Sequence, residues 1–226
     1  MSRPLMTLLA ALTLSSQAFA LSLSDLSQSD ASGGLKDALV QGAQIAVQQL
    51  GKPGGFSNNN DVRIELPGNL GKAASAMKMM GMGSQVDQLE ASMNKAAEAA
   101  VPQAQVLLVE AVKKMTVQDA KSILSGPKDA ATQYLDKSSR EQIRAKFLPI
   151  VKQATDQVGL ARQYNSFAGQ AANFGVVDAK SANIESYVTE QALNGLFKMI
   201  SVEEASIREN PAEAASSLAK KVFGLL

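Results

Sequence analysis

The chain has no cysteine, no histidine and no tryptophan. The first two absences remove most of the catalytic repertoire. A Ser-His-Asp or Cys-His nucleophile system needs an imidazole or a thiol, and ordinary zinc sites want the same ligand types. Disulfides cannot staple the fold, so stability has to come from a packed core. Any acid–base or nucleophilic chemistry falls to carboxylate, lysine, tyrosine and serine. Aromatic residues are 4% of the chain against 46% apolar residues overall. The core is therefore expected to rest on Ala, Leu and Val, a composition that favours closely packed helices.

An excess of charge of either sign is also missing: Lys+Arg number 22 and Asp+Glu 21. The first twenty residues read as a secretory signal. Arg3 supplies the positive start, Leu5 to Leu14 a short apolar run, and Ala18-Phe-Ala20 the small residues a signal peptidase reads. Cleavage near Ala20 takes Arg3 away and leaves the two signs equal in number. Phosphate binding needs a concentrated basic excess, so nucleic acid is not expected as a partner, and nor is a polybasic membrane patch. No later apolar stretch approaches the roughly 20 residues of a spanning helix. No cysteine follows the cleavage site to carry a lipid anchor. The expected product is a soluble periplasmic protein of a bacterium, not a lipoprotein.

What is present points to an all-α fold. Residues 1–20 are the signal, 21–33 a Ser/Gly-rich flexible leader, and 34–226 one helical domain of about nine helices in a compact array. Leu35, Leu39, Gly42, Ala46 and Leu50 recur at helical spacing and mark one buried face. Val86, Leu89, Met93, Ala97 and Ala100 mark a second, and Pro102 kinks that helix or starts a new one running to Met115. Thr116-x-x-Asp119 is an N-terminal capping pattern. Pro127 opens a short helix to Leu135, and Ser138-x-x-Glu141 and Ser139-x-x-Gln142 read as capping boxes of a longer one with a bend at Pro149. Helices are also expected over about Asn69 to Met80, Leu160 to Ala172, Ala182 to Arg208 and Ala212 to Phe223. The exception is residues 62–67, Val-Arg-Ile-Glu-Leu-Pro, which alternate at period two. Six residues make no sheet alone; they form half a hairpin or an extended segment laid over helices.

Several separated segments, read together, resemble one known family. Among them are Gln49-Leu-Gly-Lys-Pro-Gly-Gly-Phe56, Val62-Arg-Ile-Glu-Leu-Pro67, Met93-Asn-Lys-Ala-Ala-Glu-Ala-Ala-Val-Pro102 and Gly195-Leu-Phe-Lys-Met-Ile200. The family is the exported bacterial one catalogued as domain of unknown function 4197. The resemblance spans about Gly34 to Gly224. It implies an exported, largely helical single domain and implies no activity, cofactor or site residue.

Met77, Met79, Met80 and Met82 put four thioethers within six residues. Thioethers select Cu(I), but on a helix Met77 and Met80 share one face and Met79 and Met82 another. Flexible packing at a helix–helix turn is the plainer reading. Ser-x-x-Lys occurs at Ser75, Ser92 and Ser217 without the further elements an acyl-enzyme needs. Glu203 and Glu204 are adjacent and diverge on a helix, and Glu190, Asn194 and Lys198 form a polar row. Asn58 to Asp61 fails as a calcium loop because its twelfth position is Asn69; it reads as a turn. Tyr134, Tyr164 and Tyr187 read as core-edge residues with a hydrogen-bonding tip. No catalytic, metal or cofactor site is assigned, and the chain is read as not an enzyme. The function expected is binding, to an unknown envelope protein or a small apolar ligand. The alternatives are membrane contact through the C-terminal helix, with Leu218, Val222, Phe223, Leu225 and Leu226 beside Lys220 and Lys221, a carboxylate-based hydrolase, and a methionine-based Cu(I) binder.

Overall fold

A computed structural model describes residues 27–68, 83–158 and 183–225, together with Gly71, Met79, Arg162 and Tyr164. The elements are α1 (Gln28–Leu50), α2 (Gly83–Ala100), α3 (Ala104–Lys114), α4 (Val117–Leu124), α5 (Ala130–Val158), α6 (Ile184–Glu209) and α7 (Ser217–Phe223). Short 3-10 turns at Val101–Gln103 and Pro211–Glu213 precede α3 and α7. The all-α class holds, and there is no strand among the described residues. These residues form six helices of eight residues or more and a shorter seventh, rather than about nine. Apart from Gly71, Met79, Arg162 and Tyr164, the helices expected over 69–80 and 160–172 lie outside the described residues.

The count differs partly because two expected helices are one. Ser138 and Ser139 do not start a helix. Their hydroxyls donate back to the carbonyls of Tyr134 (2.7 Å) and Leu135 (2.6 Å), four residues earlier in the same helix. A hydroxyl that caps an N-terminus can equally satisfy itself this way inside a helix, and Ser139 is buried there. α5 also runs through Pro149. The lost hydrogen bond is to the carbonyl of Ala145, and both residues are exposed, so water can replace it.

Two other boundaries move. α1 begins at Gln28, inside the stretch expected to be a flexible leader, with the Ser27 hydroxyl capping the N–H of Asp30 at 3.0 Å. The early start has a packing cause: Gly33 and Gly34 are where α7 crosses α1. A Cβ on Gly34 would stand 2.5 Å from Val222 Cγ2 and 2.7 Å from the Leu218 carbonyl oxygen. The last helix, expected from Ala212, begins only at Ser217, because Ser216 caps it and the chain before it is held to α1. There Gln41 accepts from the N–H of Ala215 and donates to the carbonyl of Glu213.

α1 is the central helix and packs on α7, α6, α3 and α4. α5 and α6 form the longest pair and run antiparallel, since Arg140 meets Asn194 while Arg144 meets Glu190. α2 lies against both. The expected faces are the buried ones, Leu35, Leu39, Gly42, Ala46 and Leu50 on α1 and Val86, Met93, Ala97 and Ala100 on α2, with Leu89 only partly buried. The Thr116–Asp119 capping box is formed in both directions at the start of α4. Among the described residues no helix is long and apolar enough to cross a membrane.

Candidate functional site

The most densely organised polar region lies where residues 56–66 cross α2 and α6. Phe56, Val62 and Ile64 are buried while Arg63 and Glu65 face out, as period-two alternation requires. Residues 56–62 are turns, and residues 63–67 continue them as an extended strap laid over helices that pairs with no strand among the described residues. Each of its buried side chains stabilises the contact by roughly 1.5–3 kcal/mol. Its backbone groups need partners, and side chains of α2 supply them. Glu98 accepts from the N–H of Phe56 (3.1 Å), the N–H of Ser57 (3.2 Å) and the hydroxyl of Ser57 (2.9 Å). Asn94 brackets one residue: the N–H of Ile64 donates to its Oδ1 (2.9 Å), and its Nδ2 donates to the Ile64 carbonyl (2.8 Å). The same Nδ2 also donates to the Glu90 carbonyl at 2.7 Å. Arg63 pairs with Glu90 at 3.5 Å. From α6, the Tyr187 hydroxyl donates to the Glu65 carbonyl at 2.8 Å.

Gly195 lets α6 approach, since a Cβ there would stand 2.7 Å from Phe56 Cε1. The turn that leads into the strap is an Asx turn, with the N–H of Asp61 donating to Asn59 Oδ1 at 3.1 Å. It is the turn expected from Asn58 to Asp61. The buried row Glu90, Asn94 and Glu98 was missed by sequence reasoning. Its signal was there: three polar residues four apart, in phase with Met93, Ala97 and Ala100.

A second assembly joins four helices. Glu204, buried on α6, accepts from the N–H groups of Ala131 (3.2 Å) and Thr132 (2.9 Å) and from the Thr132 hydroxyl (2.8 Å). It thereby caps the N-terminus of α5, where a negative charge is favoured. Arg208 donates to Glu204 at 2.9 Å and to the Ile123 carbonyl at the end of α4 at 3.4 Å, and lies 5.7 Å from the Phe223 ring centroid on α7. Glu203, as expected, points elsewhere: it accepts from Gln49 at 3.2 Å, and burial pushes its carboxyl above the ordinary range. The crevice lined by Ala38, Leu39, Gly42, Ile200, Glu204, Ile207 and Phe223 encloses about 10 Å³, room for about one water.

The third assembly corrects the expected polar row on α6. Glu190 and Asn194 are not merely a solvated face. Arg140 donates to Asp136 and Asn194, and more weakly to Glu190 at 3.5 Å, with its guanidinium 5.2 Å from the Phe197 ring centroid. Arg144 donates to Glu190 through two nitrogens and to Glu141 through the third. The open hollow beside them, about 350 Å³, is lined by Gln133, Asp136, Lys137, Arg140 and Glu141. Both guanidinium forks are already engaged there, so neither presents a free bidentate edge to an anion.

The remaining candidates fall as follows. Met79 is 89% exposed, and Met77, Met80 and Met82 lie outside the described residues. The Ser92 hydroxyl donates to the Gln88 carbonyl at 2.7 Å, as a helical serine does. Ser75 lies outside the described residues, and Ser217 is exposed on α7. Burial pushes Tyr187 up to about 12, the charges of Glu65 and Glu90 adding to it, and raises Tyr164 further still. Tyr187 is thus a core-edge residue with a bonded tip. The buried Thr189 hydroxyl has no partner among the described residues, and nothing in the structure explains it. No group of three or more acids that could hold a metal ion occurs among the described residues.

No curated protein and no solved structure matches the chain. A family model described as "Protein of unknown function (DUF4197)" matches residues 25–224, which takes in α1 through α7 and the strap. The chain belongs to that family, domain of unknown function 4197.

Proposed function

We propose that the protein is a non-catalytic binding module of the bacterial cell envelope, exported by its first twenty residues. Its ligand is another envelope protein or a small apolar molecule. One observation carries this reading. The polar groups an enzyme would aim into a cleft are turned onto the protein itself: Glu98 and Glu204 hold backbone N–H groups, and Arg140, Arg144 and Arg208 hold carboxylates. What is left outward includes lysines and short aliphatic side chains such as Val106, Val117, Leu148 and Val202. Surfaces of that kind recognise by shape and apolar contact rather than by chemistry. Membrane contact through α7 would first require its release, because Ala219, Val222 and Phe223 are buried against the bundle.

The test is native mass spectrometry of the protein taken from the periplasmic fraction without detergent. A stoichiometric partner or a bound lipid is expected. A bare chain, with nothing enriched over a control preparation, would overturn the reading. Fractionation of cells expressing the chain with and without residues 1–20 tests export separately, the shortened form being retained in the cytoplasm.

A further inference from the structure

Methionine is ordinarily a buried residue. The chain has nine, and four of them have a described exposure. Met93, Met115 and Met199 are at most 8% exposed, and the Met199 sulfur also accepts from Asn59 Nδ2 at 3.7 Å. Met79 is 89% exposed. A thioether reacts with a two-electron oxidant through a sulfur lone pair, and the oxidant must reach the sulfur in line with the bond it breaks. Packing around Met93, Met115 and Met199 denies that approach in the folded protein. At Met79 it is open.

We infer that Met79 is a site of oxidative modification, the substrate class being peroxides and hypohalous acids. With hydrogen peroxide, the sulfur lone pair forms an S–O bond to one peroxide oxygen while the O–O bond breaks. The sulfur is oxidised by two electrons to the sulfoxide, the peroxide is reduced, and the departing oxygen leaves as water. With hypochlorous acid the O–Cl bond breaks and chloride and a proton leave. The product replaces an apolar side chain by a polar, chiral one and is reducible by methionine sulfoxide reductases. The inference does not rest on the binding reading above. It concerns which sulfur of the folded chain reacts, whatever the protein binds.

The experiment is a time course of the full folded chain with hydrogen peroxide in limited amount, read by peptide mapping. Cleavage after Lys78 and Lys95 puts Met79 and Met93 in one peptide, so fragment ions compare the two internally. Met79 sulfoxide is expected at a rate roughly tenfold or more above those of Met93, Met115 and Met199. The four rates should converge when the chain is unfolded in urea. The Met79→Leu variant, checked by circular dichroism, loses that fast oxygen addition and leaves the slow three unchanged. Comparable rates at Met79 and Met93 in the folded protein would overturn the inference, and so would a difference that persists in urea.

Discussion

At the scale of single residues, the strap offers the sharpest tests, because each clamp uses a particular side-chain chemistry. Asn94→Asp keeps the shape and removes the N–H donor, so a carboxylate faces the carbonyls of Ile64 and Glu90. A loss of roughly 2–3 kcal/mol in urea unfolding is expected; a variant as stable as the parent would show that the bracket contributes nothing. Gly195→Ala drives a Cβ towards the Phe56 ring and should cost roughly 1–3 kcal/mol. The tyrosines make a second kind of prediction. Tyr187 ionises near 12 in the fold against about 10 in an unfolded chain. A raised folded pKa contributes stability that is whole below pH 10 and is lost as pH rises towards 12. Absorbance at the phenolate band should therefore titrate above the ordinary tyrosine range until the chain unfolds, and a titration centred at 10 in folded protein would refute the burial seen for Tyr187.

At the scale of elements, the start of α4 is set by its capping box and should respond to a single change. Hydrogen bonds from the Thr116 backbone and side chain hold the Asp119 carboxyl below its ordinary range. A depressed carboxylate contributes stability present above the unfolded pKa and lost as pH falls through the folded one. Amide-exchange protection of α4 should drop as pH falls below about 4 before that of α5 does, and Asp119→Asn should remove that pH dependence. How legible the elements were in the sequence follows the same divide. Faces repeated over several turns, as on α1 and α2, were readable because burial selects them residue after residue. The capping boxes at Ser138 and Ser139 were not, because a hydroxyl next to a carbonyl of its own helix is satisfied either way. The start of α1 was hidden for a different reason. Gly33 and Gly34 look like linker locally and serve as a close crossing only once α7 lies on them. For the strap, alternation revealed an extended segment, and its receptor, Glu90, Asn94 and Glu98, carried a helical period of its own; nothing local linked the two, because they lie thirty or so residues apart.

At the scale of the molecule, Glu204 and Arg208 tie the start of α5, the end of α4 and α7 to α6. Removing one partner strands the other in a buried place. Glu204→Ala should cost about 3–5 kcal/mol and loosen α7 as well, seen as faster proteolysis after Lys220 or Lys221. A variant that unfolds at the parent's urea midpoint would dismiss the tie. The strap has a different whole-chain consequence, one of length rather than chemistry. Its register is set by Ile64, seated in the Asn94 carboxamide, with Glu98 holding Phe56 and Ser57 before the turn and Tyr187 holding Glu65 after it, and its side chains alternate between inside and outside. Substitutions in the turn at 58–61 leave that seating alone. Deleting any one of those four residues would pull the strap along by one position and turn Arg63 and Glu65 towards the core. The chain should therefore accept changes of identity in this loop and refuse changes of count, a pattern that a library of single deletions screened for soluble protein would display directly.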